Sequence, residues 1–165
     1  MKTANPDPDA QKSPTAREDL SFRRVQAEIL LDLQRLRHVA ERRIGHLLAE
    51  HDLDVTPAQA NVLMTLFQHR APMTARQLAV DLQVSEVTVG RFVRALDRDG
   101  WVERTRDPAD ARAILVRPTE RARAALPRFI AVSNALQDLA FAGLDADRVA
   151  EIGRCTTRIL GNLTE

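Results

Sequence analysis

Apolar residues recur every three or four positions over most of the chain, which is the spacing of one face of an α-helix. The first such run occupies residues 20–51, and its apolar face comprises Phe22, Val25, Ile29, Leu33, Leu36, Ala40, Ile44 and Leu47. Only "WVERTR" and "RAILVR" alternate apolar and polar residues as strands do, and "DPAD" between them has the composition of a turn. The pattern predicts a mainly α protein with one small β-hairpin.

Capping residues indicate where the later helices begin. The stretches "TPAQ" and "TARQ" place Thr56 and Thr74 three residues before a glutamine, which is the spacing of a capping box. Ser85, Thr119 and Asp145 are expected to cap the next three helices. The helix after residue 119 has Leu126, Ile130, Leu136 and Ala140 on one side, and the apolar stripe of the last helix comprises Val149, Ile152, Ile159 and Leu163.

The segment "VSEVTVGRFVRALDRDGWVER" carries arginines on one side of its predicted helix only. At about 100° per residue, the arginine stripe comprises Arg91, Arg94 and Arg98, and the apolar stripe opposite comprises Val89, Val93 and Leu96. An ordinary surface helix with a solvated, charged outer face has the same pattern. The flanking elements therefore have to decide between the two interpretations.

Composition and charge restrict how the chain could bind nucleic acid. The net charge of the 165 residues is +1, so any such binding has to come from a local basic patch. Aromatic residues make up 4% of the chain and none is Tyr, which argues against recognition by base stacking. All basic residues except Lys2 and Lys12 are arginines. Arginine suits bidentate contacts with phosphate and guanine, although codon bias explains the same excess.

The cysteine content and the lack of long apolar runs indicate in which cellular compartment the protein resides. Cys155 is the single cysteine, which rules out an intramolecular disulfide and fits a reducing environment. The start of the chain lacks the apolar core of a signal peptide. No apolar run approaches the roughly 20 residues of a membrane helix. We expect a cytoplasmic protein of one domain, or of a small domain with helical extensions, that does not enter a membrane.

The order of the central elements is that of a winged helix-turn-helix. Two short helices are joined tightly, the second has a polar outer face, and a charged hairpin follows; such a second helix enters a DNA major groove. The hairpin can place arginines against a minor groove or phosphates, and those arginines are Arg104, Arg106, Arg112 and Arg117. A solvated hairpin with scattered ion pairs is the alternative.

The terminal helices have apolar stripes without a domain of their own, and a symmetric partner is the commonest way to bury them.

From "VTPAQANVLMTLF" to "VRPTE", the chain resembles the MarR family of bacterial transcriptional regulators. The likeness lies in the order of motifs: a "TPAQ" helix, then "LAVDLQVSEVTVGRFVRAL", then the wing entry "GWVER", and Asp110 and Arg112 as the "D.R" element of the wing. The resemblance implies a homodimer that binds double-stranded DNA at a near-palindromic operator. It also implies a repressor relieved by a small amphipathic or phenolic effector, with no cofactor.

On this resemblance, the chain divides into a disordered tail (1–18), an N-terminal dimerisation helix (19–55), a winged helix-turn-helix (56–118) and C-terminal dimerisation helices (119–165). The predicted base-reading residues are Ser85, Val87, Thr88, Gly90, Arg91 and Arg94, and Arg98 is assigned to phosphate. In the wing, Arg106 and Arg112 are assigned to DNA, with Asp110 orienting Arg112. Gly90 could let the backbone approach DNA, or it could be an ordinary surface glycine.

Three residues depart from the pattern of the family. Gln83 stands in the turn where glycine is usual, so a side chain would have to adopt a left-handed conformation. Glu86 brings a negative charge to the start of the reading helix, where it could accept from a cytosine amine or favour the helix dipole. Pro118 replaces the usual leucine after the wing and removes a backbone donor. These departures affect the operator sequence rather than DNA binding itself.

Other kinds of site are less consistent with the sequence. Cys155 is interpreted as a buried packing residue of the last helix rather than a peroxide sensor. His46 and Glu50 lie one helical turn apart, but without a second ligand pair they indicate a surface more than a metal site. No catalytic triad, phosphate loop or paired-cysteine motif is present, so an enzyme is not expected. A winged-helix protein-interaction module without specific DNA binding is the alternative function.

Overall fold

The computed structural model of the chain describes residues 16–108, 110 and 113–164. In this part of the chain, the elements are α1 (Ala16–Glu50), α2 (Pro57–His69), β1 (Met73–Thr74), α3 (Ala75–Leu82), α4 (Glu86–Arg98), β2 (Val102–Arg106), β3 (Ile114–Pro118), α5 (Glu120–Ala140) and α6 (Ala146–Thr164). The prediction of a mainly helical protein with a hairpin wing is confirmed. The two-residue strand β1 was not predicted, because two residues are too few to show an alternation.

The chain forms two compact units, Met1–Val39 and Ala40–Glu165. In the first unit the structure describes the N-terminal part of α1. This helix begins at Ala16, inside the segment 1–18 that was expected to be a disordered tail, because Ala16, Arg17 and Glu18 favour helix. The apolar side chains of this unit are exposed; they are Leu20, Phe22, Val25, Ile29, Leu30, Leu31, Leu33, Leu36 and Val39.

The core lies in the second unit and is assembled from α2, α3, α4, α5, the sheet and the end of α1. Its fully buried side chains include Leu48, Leu63, Leu66, Leu78, Leu96 and Trp101. Every predicted cap around this core is formed. The side-chain oxygens of Thr56, Thr74, Ser85 and Thr119 accept from a backbone N–H three residues later, at 3.2–3.3 Å. Local capping chemistry therefore fixes where α2, α3, α4 and α5 begin.

The three strands form an antiparallel sheet in the order β1-β3-β2. Met73 lies opposite Val116, and Val102 lies opposite Pro118. Pro118 is buried at the last pair of the β2–β3 ladder, where a missing N–H costs little. The hairpin of β2 and β3, residues 102–118, is the wing, and it is anchored on the core through Val102 and Val116.

The face of α5 that packs on the core is not the apolar side that the sequence indicates. The structure buries Ala122, Ala125, Phe129 and Val132 instead, while Ile130 and Ala140 are exposed and Leu126 and Leu136 are half-buried. The two alanines let the helix approach the core closely, and the Phe129 ring packs on Trp101 with centroids 5.8 Å apart.

The predicted apolar stripe of α6 is not covered by any other described part of the chain. Its described residues include no buried side chain. Val149 and Ile159 are half-buried, whereas Ile152 and Leu163 are 46% and 72% exposed. The apolar stripe of α6 is therefore left open by the single chain.

Candidate nucleic-acid interface

A tight turn brings α3 and α4 together. Gln83 adopts φ 52° and ψ 43°, so the expectation that a non-glycine residue holds a left-handed conformation there is confirmed. This conformation costs about 1–2 kcal/mol for a residue with a Cβ. The turn is closed by the N–H of Gln83, which donates to Val80 O at 3.2 Å, and the N–H of Val84, which donates to Ala79 O at 3.1 Å. The two bonds end α3 and direct the chain into the cap of α4 at Ser85.

Helix α4, the recognition helix, has one buried and one exposed face. Its buried face comprises Val89, Val93 and Leu96, as the sequence predicts. The predicted reading residues Ser85, Val87, Arg91, Arg94 and Arg98 are exposed, whereas Thr88 and Gly90 are half-buried. Val87 is 75% exposed, so its methyl groups are accessible on the outer face of the helix. The separation of the two stripes is confirmed.

Carboxylates pair with some of the arginines in this region. Arg98 Nε lies 3.0 Å from Asp99 Oδ1, and Arg104 Nη1 lies 3.7 Å from Asp97 Oδ2. The pair at Arg98 is well exposed and therefore weak, but it reduces the charge that Arg98 can offer to a phosphate.

Three other arginines on this surface have no carboxylate partner among the described residues. Within residues 16–108, 110 and 113–164, no carboxylate lies within 4.0 Å of the guanidinium of Arg91, Arg94 or Arg106. By contrast, Arg117 Nε lies 2.9 Å from Glu103 Oε1, directly across the β2–β3 ladder. These three arginines therefore place positive charge without a carboxylate partner on α4 and at the end of β2.

A groove of about 730 Å³ separates α3 and α4 from the wing. Four predicted site residues line it, namely Val87, Gly90, Arg94 and Asp110, together with Arg76, Glu86 and Arg104. The structure thus brings the middle of the recognition helix and the wing to one concave surface. The groove does not include Ser85, Thr88, Arg91 or Arg98, which lie elsewhere on α4.

Arg76 was missed by the sequence reasoning. It is exposed in the first turn of α3 and lines the groove beside Arg94. A signal was present: a cation in the first turn of a helix opposes the helix dipole, so it needs another reason to be there. Contact with a phosphate would be such a reason.

Of the residues assigned to the wing, the structure describes Arg106 and Asp110 but not Arg112. Arg106 is exposed at the end of β2. The tip is closed by Asp107 N, which donates to Ala113 O at 3.0 Å, and by Ala113 N, which donates to Asp110 O at 2.9 Å. Arg112 lies outside the described residues, so its contact with DNA and its orientation by Asp110 stay predictions.

The remaining candidate residues lie away from this surface. Cys155 is exposed, and its Sγ donates to Glu151 Oε1 at 3.4 Å, so the expectation of a buried cysteine was wrong for the single chain. The reason is that α6, which carries it, buries nothing in the chain. His46 and Glu50 are exposed, and no group of three His, Cys, Asp or Glu side chains in the described part of the chain could hold a metal ion. No helix described here has the length and apolarity to cross a membrane.

Comparison with known sequences identifies the same region. The model of the MarR family matches residues 55–114. The chain is 37% identical over 95 residues to the multiple antibiotic resistance protein MarR of Escherichia coli K12, covering 54% of this chain and 63% of that protein. It is 34% identical over 94 residues to the HTH-type transcriptional regulator YdcH of Bacillus subtilis, covering 53% and 63%. The matched part of the chain thus spans less than two thirds of the length of these relatives.

Solved structures extend the likeness beyond the matched region. A mutant of MarR from Escherichia coli in complex with operator DNA is 30% identical, covers 79% of this chain and 95% of its own, and has a TM-score of 0.67. Wild-type MarR in its apo form is also 30% identical, with coverages of 78% and 96% and a TM-score of 0.62. A MarR transcriptional regulator from Methanosarcina mazei shares the fold, with a TM-score of 0.73 at 22% identity. The element order, the two-faced recognition helix and these comparisons together show that the chain belongs to the MarR family of winged helix-turn-helix transcriptional regulators.

Proposed function

We propose that this protein is a dimeric, sequence-specific DNA-binding transcriptional regulator, acting in the cytoplasm as a repressor relieved by a small ligand. One observation carries the proposal. Helix α4 buries Val89, Val93 and Leu96 and leaves Arg91 and Arg94 exposed without carboxylate partners among the described residues, next to a wing whose strand β2 ends in Arg106. Arginine bidentate to guanine is the commonest specific contact in a major groove.

The MarR–operator complex supports the same function by similarity. That structure holds operator DNA and is 30% identical to this chain, covering 79% of this chain and 95% of its own. We assign base reading to Ser85, Val87, Thr88, Gly90, Arg91 and Arg94. Phosphate contacts are assigned to Arg98 and Arg76, and wing contacts to Arg106 and Arg112 with Asp110 as orienter.

A homodimer is proposed from the unpartnered apolar side chains. Residues 20–39 of α1 and the whole of α6 are helical and amphipathic, yet their leucines, isoleucines and valines are largely exposed, among them Leu20 at 71% and Leu163 at 72%. Exposed apolar stripes of this extent mark interfaces. A two-fold dimer would present two recognition helices to half-sites about one helical turn apart, which corresponds to a near-palindromic operator.

A small amphipathic or phenolic effector is the least supported part of the proposal. A solved structure of the same fold, at 17% identity, is that of an organohalide-sensing regulator in its 2,4-dichlorophenol-bound form. We infer a ligand of that chemical class for this chain, bound where α1, α2 and α5 meet. Adding 2,4-dichlorophenol to the preformed DNA complex should release labelled duplex. Release by phenols and not by cyclohexanol at equal concentration would support the class.

DNA binding is tested by fluorescence anisotropy with a duplex from immediately upstream of the protein's own gene and a scrambled duplex of equal length. At ~150 mM salt, a specific regulator should bind on the order of nanomolar and prefer the upstream duplex about 1000-fold. Binding to neither duplex would favour the alternative, a winged-helix protein-interaction module. The exposed apolar side chains of Val80 and Val87, 70% and 75% accessible, are the observation on which that alternative depends.

A further inference from the structure

Arg121, in the first turn of α5, joins three segments of the second unit. Its Nη2 lies 3.0 and 3.2 Å from the two carboxylate oxygens of Asp54, in the loop between α1 and α2. Its Nη1 donates to the backbone carbonyl of Asp99 at 2.6 Å. Its guanidinium carbon lies 4.1 Å from the centroid of the Trp101 ring. We call Arg121 with these three partners the Arg121 clamp.

The guanidinium of Arg121 is electrostatically favourable for α4 rather than for α5. A cation in the first turn of α5 opposes the dipole of that helix. The same cation is favourable at the end of α4, because Asp99 is the C-cap of α4 and its carbonyl has no partner within the helix. Arg121 therefore closes the C-terminal end of the recognition helix from outside.

Neighbouring bonds attach the same turn to α5. The hydroxyl of Thr119, the N-cap of α5, donates to Gly100 O at 2.8 Å, and its N–H donates to Trp101 O at 3.1 Å. The backbone carbonyls of Asp99, Gly100 and Trp101 thus all accept hydrogen bonds from residues at the start of α5. Gly100 has φ 74°, so the chain reverses there in a conformation that suits glycine.

Trp101 makes this junction rigid. Its side chain is 1% exposed, with Arg121 against the ring and the edge of Phe129 from α5 at 5.8 Å. Trp101 also begins the wing, since β2 starts at the next residue. The end of the recognition helix and the root of the wing are therefore held on the same packed pair of aromatic side chains.

We propose that Arg121 is a positioning residue for DNA recognition: the clamp fixes the recognition helix and the wing against α5 and the α1–α2 loop. This inference rests on the proposed function. Arg121 does not line the groove between α4 and the wing. Its loss should therefore weaken DNA binding by misplacing the reading side chains and not by removing a phosphate contact.

The test compares Arg121→Gln, Arg121→Lys and Asp54→Asn with the wild-type protein. The matched control is Arg123→Gln, which removes the same charge two residues later, where the side chain pairs with Glu120 within α5. Arg121→Gln should weaken binding to the operator duplex about 3- to 30-fold. Arg121→Lys should recover part of the loss because it keeps a cation over the ring, Asp54→Asn should lose less, and the control should bind like wild type.

Two further readouts separate positioning from other roles. The slope of log affinity against log salt should be unchanged in Arg121→Gln, since no phosphate contact is lost. The emission of Trp101, the single tryptophan, should shift to longer wavelength because the guanidinium no longer covers its ring.

Several results would overturn the inference. Wild-type affinity in Arg121→Gln would do so, as would a salt slope reduced by about one, which identifies a phosphate contact. An affinity loss that matched a loss of folded protein by circular dichroism, in both Arg121→Gln and Asp54→Asn, would leave Arg121 a stabilising role only. Failure of the wild-type protein to bind any duplex would overturn the proposed function, and the inference with it.

Discussion

Nη1 of Arg94 lies 3.5 Å from the place where a Cβ atom would stand at Gly90, one helical turn earlier on the recognition helix. The missing side chain thus leaves a space that the guanidinium of Arg94 borders, in the groove facing the wing. Gly90 is in ordinary helical conformation, so no left-handed backbone requires glycine there. The relationship favours a role of Gly90 in the approach of DNA over that of an ordinary surface glycine.

Replacing Gly90 by alanine should separate stability from function. The added methyl group meets Arg94 at ordinary contact distance and removes a helix-disfavouring residue, which should stabilise the folded protein by about 0.5–1 kcal/mol. For a chain of this size the melting temperature should rise by about 1–4 °C. Affinity for operator DNA should fall, because the methyl group occupies the groove. A more stable variant with unchanged affinity would assign Gly90 no role in binding.

Arg94→Gln should weaken operator binding by about 1–3 kcal/mol and relax the base preference at one position of each half-site. The fold should be unaffected, since the side chain is exposed and has no ion pair among the described residues. Arg158→Gln on α6 is the matched control for the change of charge. Anisotropy titrations against duplexes substituted at single positions measure both effects. Equal losses from the two variants would mean that only net charge matters.

Glu86→Gln should change affinity and specificity in opposite directions. The carboxylate lines the groove among Arg76, Arg94 and Arg104 and would repel phosphates, so its removal should strengthen binding to scrambled DNA. If it accepts from a cytosine amine, the preference for operator should fall by about 1 kcal/mol, a factor of about five. Glu50→Gln serves as the control. An unchanged ratio of the two affinities would show that Glu86 reads no base.

Arg112→Ala tests the wing. If Arg112 contacts a phosphate, the variant should weaken binding to all duplexes alike and reduce the salt slope by about one. Arg106→Ala should behave in the same way, because Arg106 is exposed at the end of β2. Titrations at three or more salt concentrations give the slopes. Unchanged DNA affinity in both variants would show that the wing assignment is wrong.

The dimer proposal predicts a solution mass twice the 18.4 kDa of one chain. Leu163→Asp places a carboxylate on the exposed apolar stripe of α6, where a dimer interface would have to bury it, so the variant should shift toward monomer. Asn162→Asp adds the same group one residue away from the stripe and should leave the mass unchanged. Light scattering after size exclusion measures all three. A monomeric wild-type protein would contradict the proposal.

Short-range chemistry made much of the fold predictable. Thr56, Thr74, Ser85 and Thr119 cap the helices that their local patterns predict, and Val89, Val93 and Leu96 of α4 face the core as a 3.6-residue period requires. The predicted reading residues of α4 are therefore where the sequence places them. Gln83 holds the left-handed conformation that was expected because glycine is usual at this turn in the family.

Long-range packing was not predictable in the same way. The buried face of α5 depends on Ala122 and Ala125, whose small side chains carry little hydrophobic signal but allow close approach. The contact of Arg121 with Asp54 joins residues 67 positions apart, which no periodicity reveals. The sequence could not show what packs on the apolar stripe of α6, because no other described part of the chain covers it.

Selection from a pool of random duplexes tests the central claim most directly, because it does not depend on where the operator lies. The wild-type protein should enrich one motif with two half-sites related by a two-fold axis and centred about one helical turn apart. The Arg91→Gln, Arg94→Gln double variant should not enrich it. Enrichment of no sequence by the wild-type protein, or of the same motif by the double variant, would contradict recognition by α4.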